Sequence, residues 1–434
     1  MKRLALLVLG MVMAPALHAE NLMDVYREAQ SYDATYASAR AAHQAGLEKL
    51  PQGRALLLPV INFNADTTGN SIEREGTPVK NYNSNGYGLT LTQPVYRKQN
   101  YAQYEQSKQQ VVQAEAQFAS AQQDLMLRVA QAYLDVLAAQ DGVAFAGTYK
   151  SSISEQLAQA KRNFEVGTAT ITDAHDAQAR FDLATSQEIS ARNDLEIKKY
   201  ALQKVMGKMP SNLASLGSKL PLKLPEPNDM DKWVATSEQQ NLQLQTQQAA
   251  FEIANQEVER NRAGHYPTLD VVASYRDANN ASLAFGAGGN IVTGAIGLQL
   301  NVPIFAGGAT NSKVREAVAN QDKARADLED IRRQVGLQTR QAFLGVTSGE
   351  AQVRALEQAL VSTQSSLDST KLGFEVGVRT SVDVLNAQQQ VLSARRDLSQ
   401  ARNNYILSQL KLKSAVGTLS ETDLEQVNGW LNGK

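Results

Sequence analysis

Proline placement constrains this chain more than any other feature: none lies between Pro94 and Pro210, and none follows Pro303. Proline breaks a helix interior because it lacks an N–H and its ring meets the preceding turn. The two proline-free intervals can therefore hold very long helices. Tyr101 to Asn163 and Asn311 to Phe374 are rich in Ala, Gln, Leu, Arg and Glu, which helix interiors favour or tolerate. At about 1.5 Å per residue, a helix of about 65 residues approaches 100 Å. No single globular core needs such a rod, so it must pack along others as a coiled coil or a helical cylinder. The apolar repeat is loose and Ala-rich, which points to close packing with several neighbours and away from one Leu-lined seam.

Laid on itself at an offset of about 210 residues, the chain repeats. Phe164-Glu165-Val166-Gly167 recurs as Phe374-Glu375-Val376-Gly377, Ala191-Arg192-Asn193 as Ala401-Arg402-Asn403, Asp173 as Asp383, and Gly207 as Gly417. Slightly shorter offsets relate Gly88 to Gly297, Pro94 to Pro303 and Pro59 to Pro267. A period this long indicates two fused structural halves, not a short-repeat solenoid. The expected organisation is a leader over 1–19, a first repeat of helix, two strands, long helix and helix over 20–209, a Pro-rich connector over 210–227, a second repeat over 228–417, and a C-terminal segment over 418–434.

Before each long helix lie two stretches with period-two alternation, the mark of strands with one apolar face. Ile61, Phe63 and Ala65 alternate with Asn62 and Asn64, and Leu89 and Leu91 with Thr90 and Thr92. In the second half Leu269, Val271, Ala273 and Tyr275 alternate with Asp270, Val272 and Ser274, and Ile296, Leu298, Leu300 and Val302 with Gly297, Gln299 and Asn301. An apolar face backed by a polar one suits a lipid-facing barrel with a wet lumen, placing Leu89, Leu91, Ile296, Leu298 and Leu300 towards lipid. Asp66 to Asn85 and Arg276 to Thr293 are expected to be polar loops, Gly286-Ala287-Gly288-Gly289 among them. Four strands cannot close a membrane barrel, and an open edge in lipid leaves backbone groups unsatisfied at several kcal/mol each, so other copies must complete it.

The N-terminus agrees with export. Lys2 and Arg3 precede an apolar run from Leu4 to Leu17, too short and too terminal for a spanning helix, which reads as a secretory signal peptide. Cleavage after Ala19 would leave Glu20 first, although Leu17 fits the small-residue rule poorly and Ala16 offers another site. Losing Lys2 and Arg3 takes the formal charge from -1 to -3, so no polybasic surface recommends nucleic acid as a partner. Cysteine is absent, which removes disulfides and thiolate metal sites. No His-Glu spacing, nucleophile elbow or phosphate-cradling loop stands in a credible context, so no enzyme, cofactor or metal is expected. His175 and His265 fit a helix surface and a helix-to-strand junction better than a metal site.

Further stretches carry a resemblance: Glu20-Asn21-Leu22-Met23, Leu57-Leu58-Pro59, Ile171-Thr172-Asp173, Tyr266-Pro267-Thr268-Leu269, Val302-Pro303-Ile304-Phe305-Ala306-Gly307-Gly308 and Val376-Gly377-Val378-Arg379-Thr380-Ser381-Val382-Asp383-Val384-Leu385. In this order, and over essentially the whole chain after the leader, the sequence resembles the TolC, or outer-membrane factor, family. That resemblance implies a homotrimer in the outer membrane with one shared barrel of twelve strands, four from each chain. A helical tunnel would continue it across the periplasm, with a small equatorial domain built from the connector and the C-terminal segment. The implied function is an exit duct for drug efflux or type I protein secretion, docked to a periplasmic adaptor and an inner-membrane pump, either ABC-type or proton-driven. Shorter helices near 22–50, 172–206, 228–263 and 380–416 would stack end to end.

The family's entrance gate, opened by helix untwisting, maps by the same resemblance onto Arg379, Thr172, Asp173 and Phe374. Its two acidic rings map onto Asp383 and Asn386. Two positions depart from the pattern: Phe374 lacks the hydroxyl of the family's Tyr, and Asn386 lacks a charge. A weaker lock and a less acidic entrance are therefore expected. The competing reading is a passive trimeric porin or a structural coiled-coil surface protein; long helices argue against the first and paired strands against the second.

Overall fold

A computed structural model of the chain describes residues 19–217, 220–280 and 289–431. The leader lies outside the described residues apart from Ala19, as do Gly286, Ala287 and Gly288 of the expected loop. Two helices dominate: α4, Lys98–Glu165, of 68 residues, and α8, Ala309–Glu375, of 67. Each turns back into a helix of 36 residues, α5 over Ile171–Met206 and α9 over Ser381–Val416. Preceding α4 are α1 (Leu22–Tyr32), α2 (Ala34–Leu47) and α3 (Lys49–Ala55), while α6 (Met230–Gln240) and α7 (Leu242–Arg262) precede α8 in the second half. The chain closes with α10, Glu421–Leu431.

Where the sequence suggests single helices near 22–50 and 228–263, the structure breaks each. Asp33 (φ -61°, ψ 117°) and Asn241 (φ -64°, ψ 126°) are extended residues that end one helix and cap the next. Their side chains accept from the Tyr36 and Leu244 amides at 2.7 and 2.9 Å. Short polar side chains that bond a nearby amide favour such caps over helix interiors. At the other ends, Gly207 and Gly417 terminate α5 and α9 with φ of 89° and 90°. At Gly417 a Cβ would also stand 2.2 Å from the Gln240 carbonyl oxygen, so only glycine fits there.

Four strands form one antiparallel sheet in the order β1-β2-β3-β4: Val60–Arg74, Thr77–Tyr96, Thr268–Asn280 and Gly289–Asn301. The expected loop over Asp66 to Asn85 is mostly strand, because β1 and β2 stay paired from Val60↔Thr92 to Arg74↔Thr77. Likewise β3 and β4 pair as far as Asn280↔Gly289. Past Ala65 and Tyr275 polar residues take most positions on both faces, with Ile72, Val79, Ile291 and Val292 as apolar exceptions, which erases the hydropathy alternation while the strands stay paired.

The main core lies partway along the rods. There Leu22, Val25 and Tyr26 of α1 meet Leu125, Val129 and Tyr133 of α4, Ile406 of α9 and Leu424 of α10, all fully or almost fully buried. Fully burying one such side chain stabilises by about 1.5–3 kcal/mol. Two buried tyrosines bind the irregular segment between α5 and α6 to this core. The Tyr133 hydroxyl lies 3.0 and 2.8 Å from the carbonyl oxygens of Glu20 and Ala214, and that of Tyr405 donates to the Lys223 carbonyl at 2.7 Å. Together the connector, α1 and α10 pack against the middle of the rods as one unit, called the belt below.

Candidate functional site

The sheet register assembles a continuous apolar face. Ile61 pairs with Leu91, Leu91 with Ala273, and Ala273 with Ile296; one step along, Phe63 pairs with Leu89, Leu89 with Tyr275, and Val271 with Leu298. Directly paired residues share a face, so Leu89, Leu91, Ile296, Leu298 and Leu300 stand together as the sequence predicts. Ile296, Leu298 and Leu300 are 79, 72 and 64% exposed in the single chain, and Leu89 is also exposed while Leu91 is half-buried. Among the described residues no helix is long and apolar enough to cross a membrane, whereas this face is a wall of the kind a barrel turns to lipid.

The opposite face is polar. Gly86 and Gly88 of β2 lie on it, and across them the Arg276 guanidinium on β3 reaches the Asp66 carboxylate on β1 at 2.9 Å. A Cβ on Gly88 would approach the Tyr275 carbonyl oxygen to 2.8 Å, so bare backbone at this point keeps the strands close.

Sheet and rods meet at a joint that the sequence does not single out. Arg97, one residue past β2 and the N-cap of α4, makes a two-pronged contact with Asp270 of β3: Nε donates to Oδ1 at 2.8 Å and a terminal nitrogen to Oδ2 at 2.6 Å. Asp270 is only 6% exposed. Nearby, the Asn100 amide donates to the Leu56 carbonyl at 2.6 Å and that of Gln93 to Leu57 at 3.0 Å, tying the α3 end to the same corner. Tyr96, the last residue of β2, and Phe305, four residues past β4, are both exposed.

At the far end of the rods, α4 turns into α5 and α8 into α9 through matching geometry. Gly167 and Gly377 take φ of 78° and 80°. Thr170 and Thr380 then cap α5 and α9 in reciprocal boxes with the carboxylates of Asp173 and Asp383. In each box one carboxylate oxygen, Oδ2, accepts from both the threonine N–H and its hydroxyl, at 2.9 and 2.9 Å for Asp173 and 2.8 and 2.9 Å for Asp383. Oδ1 of each has no hydrogen-bond partner among the described residues. The caps are therefore Thr170 and Thr380, and the helices open at Ile171 and Ser381, each within one residue of the limits near 172 and 380 that the resemblance implies.

Within one chain these turns do not bring all the predicted gate residues together. The stem of Arg379 folds over Gly373 of its own hairpin, and no described hydrogen bond or ion pair joins it to Thr172 or Asp173. Phe374 is exposed beside Val376 and Val378, and Asn386 faces an open groove between α8 and α9 that Gln389 and Ser393 also line. His175 is exposed on α5 and His265 lies in the 3-10 turn Ala263–His265. Among the described residues no His, Asp and Glu group is arranged to hold a metal ion.

The threonine donors lower the carboxyl pKa of Asp173 and of Asp383, with Arg379 a smaller contributor at the second. A group whose folded pKa is depressed adds stability that is present above its unfolded value, about 3.9, and is lost as pH falls through the folded value. Helix protection at residues 171–175 and 381–385 should therefore be flat from pH 8 to 5 and decline below about 4. Amide-exchange protection factors test this: a decline already complete at pH 5 would mean that these carboxylates do not hold the turns.

The long helical rods, four strands with a single apolar face and paired helical turns match known proteins. The family model for outer membrane efflux proteins matches residues 25–208 and 233–418. Outer membrane protein TolC of Vibrio cholerae serotype O1 is 35% identical over 421 residues, covering 96% of this chain and 95% of its own. The alkaline protease secretion protein AprF of Pseudomonas aeruginosa is 32% identical over 418 residues, covering 94% and 87%. The Campylobacter jejuni CmeC outer membrane channel superposes with a TM-score of 0.80 at 17% identity, covering 96% of this chain and 90% of that one. The chain belongs to the outer membrane efflux protein family.

Proposed function

We propose that the protein is the outer-membrane exit duct of a tripartite export system, a passive tunnel with no catalytic chemistry of its own. The observation that carries this is the match between the two flanks of one chain. β1 and β4 are both free edges. In the rods α4 packs between α2 and α7 and between α5 and α9, while α8 packs on α7 and α9. One flank thus consists of β1, α2 and α5, and the other of β4 and α8. Both carry exposed apolar residues: Leu183, Ile189 and Tyr200 on α5, and Leu337, Leu344 and Val361 on α8. Joining one flank to the opposite flank of the next copy is a heterologous contact that closes into a ring. Three copies would give twelve strands and a helical tunnel below them.

In that ring the entrance lies at the turns after α4 and α8, where an inner-membrane pump and its periplasmic adaptor deliver cargo. AprF, named for alkaline protease secretion, supports protein cargo, and the family's name, outer membrane efflux protein, supports efflux. Arg379 locks the entrance by reaching Thr172 and the free Oδ1 of Asp173 across hairpins, with Phe374 contributing no hydroxyl. Asp383 supplies one ring of carboxylates and Asn386 none. Extracted protein should migrate as a heat-modifiable trimer and restore drug resistance to a cell lacking its own duct; failure of both would overturn the reading.

Single-channel recording tests the entrance separately. Asn386→Asp should strengthen block by trivalent cations, Asp383→Asn should abolish it, and Arg379→Ser should raise conductance. Like charges about 4 Å apart interact by roughly 1 kcal/mol even in bulk water, so doubling the ring should change block severalfold. Unaltered block in both acidic-ring variants would place the constriction elsewhere.

A further inference from the structure

A cavity of about 680 Å³ lies beside α4 at belt height, between α5 and α9 of the same chain. Leu127, Ile197 and Leu407 give it apolar walls. Each of its three carboxylates has a cationic partner, although one guanidinium serves two of them: Arg128 holds Asp33 at 2.8 Å and Asp124 at 2.7 Å, and Lys198 holds Asp135 at 3.1 Å. Two further cations on the lining, Lys204 and Lys411, make no ion pair among the described residues. The site therefore combines an apolar surface with four cations against three carboxylates, one positive charge in net excess, and its two unpaired ammonium groups are Lys204 and Lys411.

Its direction follows from helix geometry. Tyr133 points into the belt core, whereas Gln131 and Asp135, two residues to either side, line the cavity. In an α-helix an offset of two residues is about 200°, so the cavity opens on the face of α4 opposite the belt. A belt inside a ring of helices would fill the passage, which places the belt outside and this cavity on the inner wall. That last step rests on the duct reading. The next copy meets this one on the flank of α5 and does not enter the space between α5 and α9.

We propose that the cavity is a binding station for amphipathic anions in transit, molecules with an apolar body and a single carboxylate, sulfonate or phosphate. The body lies on Leu127, Ile197 and Leu407, and the head group is held between Lys204 and Lys411. An exposed ion pair is weak in high dielectric, but apolar contact and two cations on one lining act together on one ligand. An amphipathic cation would meet the same apolar surface and be repelled by both lysines.

The test uses the assembled protein in neutral maltoside detergent, titrated with dansyl-undecanoate and, in parallel, with the cation dansyl-cadaverine. Wild type should bind the anion in preference, and less tightly as salt is raised from about 0.05 to 0.5 M, where the Debye length shortens. The double variant Lys204→Gln/Lys411→Gln should lose about tenfold in affinity, equivalent to one decade in Kd. Lys204→Arg/Lys411→Arg should retain binding, and so should Lys161→Gln, far along α4. Equal affinity in wild type and the double glutamine variant, or equal binding of the two probes, would overturn the proposal. If the double variant does not assemble, the salt series and the comparison of probes on wild type decide. Bilayer conductance separates this from the duct reading: binding without channels keeps the site and sinks the duct, and channels without anion preference do the reverse.

Discussion

Leu298→Arg should abolish recovery of assembled protein from the outer membrane, while Gln299→Arg on the neighbouring residue should leave most of it. Leu298 is 72% exposed on the apolar face, and Gln299 points to the opposite, polar one. An arginine on a lipid-facing strand position costs about 2–4 kcal/mol at the bilayer midplane, and every copy of the proposed ring bears that cost. A lumen-facing arginine remains in water. Heat-modifiable oligomer on gels, measured against total protein, reports the difference. Similar yields from the two variants would show that the faces are assigned wrongly.

The second large effect belongs to the joint between sheet and rods. Removing the guanidinium in Arg97→Leu strands the Asp270 carboxylate, which is almost fully buried. Losing one partner of a buried pair typically costs about 3–5 kcal/mol, and the 39% exposure of the Arg97 side chain argues for the lower end of that range. Asp270→Asn retains the shape and some of the hydrogen bonding, so it should cost less. The double variant Arg97→Leu/Asp270→Leu should recover part of the loss, because no charge is then left unpaired. Denaturation midpoints of the extracted protein in guanidinium would show the order. A double variant as unstable as the sum of the singles would mean that the two groups act independently.

Those two predictions differ in how far the sequence anticipates them. The apolar wall is legible because alternation is a local signal: Ile296, Leu298 and Leu300 mark their own face. The rods are legible from where proline is absent, and α4 and α8 extend only a few residues past the limits expected. The Arg97 and Asp270 contact is not, because its partners lie in different halves and only strand register brings them together. An acidic residue interrupting Leu269-Asp270-Val271 is the one local hint. The outer parts of β1 and β2 were hidden for another reason, since residues such as Asn81, Asn83 and Asn85 carry a hydrogen-bond ladder without an apolar face. At the turns after α4 and α8, sequence resemblance names Arg379, Thr172 and Asp173, but one chain shows only local contacts there. Thr170 and Thr380, which cap the helices there, carry a pattern of threonine three residues before aspartate that a capping-box search finds.

The unequal edges of the sheet also have a genetic consequence. In the proposed ring β1 pairs with β4 of another copy, so a chain spoiled at one edge alone still offers a sound second edge to its neighbour. It can therefore enter a growing ring and leave it unclosed. Proline at alternate positions of β4, where it removes ladder donors, should accordingly behave as a dominant allele. With equal expression and random assembly in threes, only about one ring in eight would contain sound chains alone. A chain spoiled at both edges would be excluded from rings and recessive, so the pattern of dominance in a mixed cell reads out the direction in which the copies join.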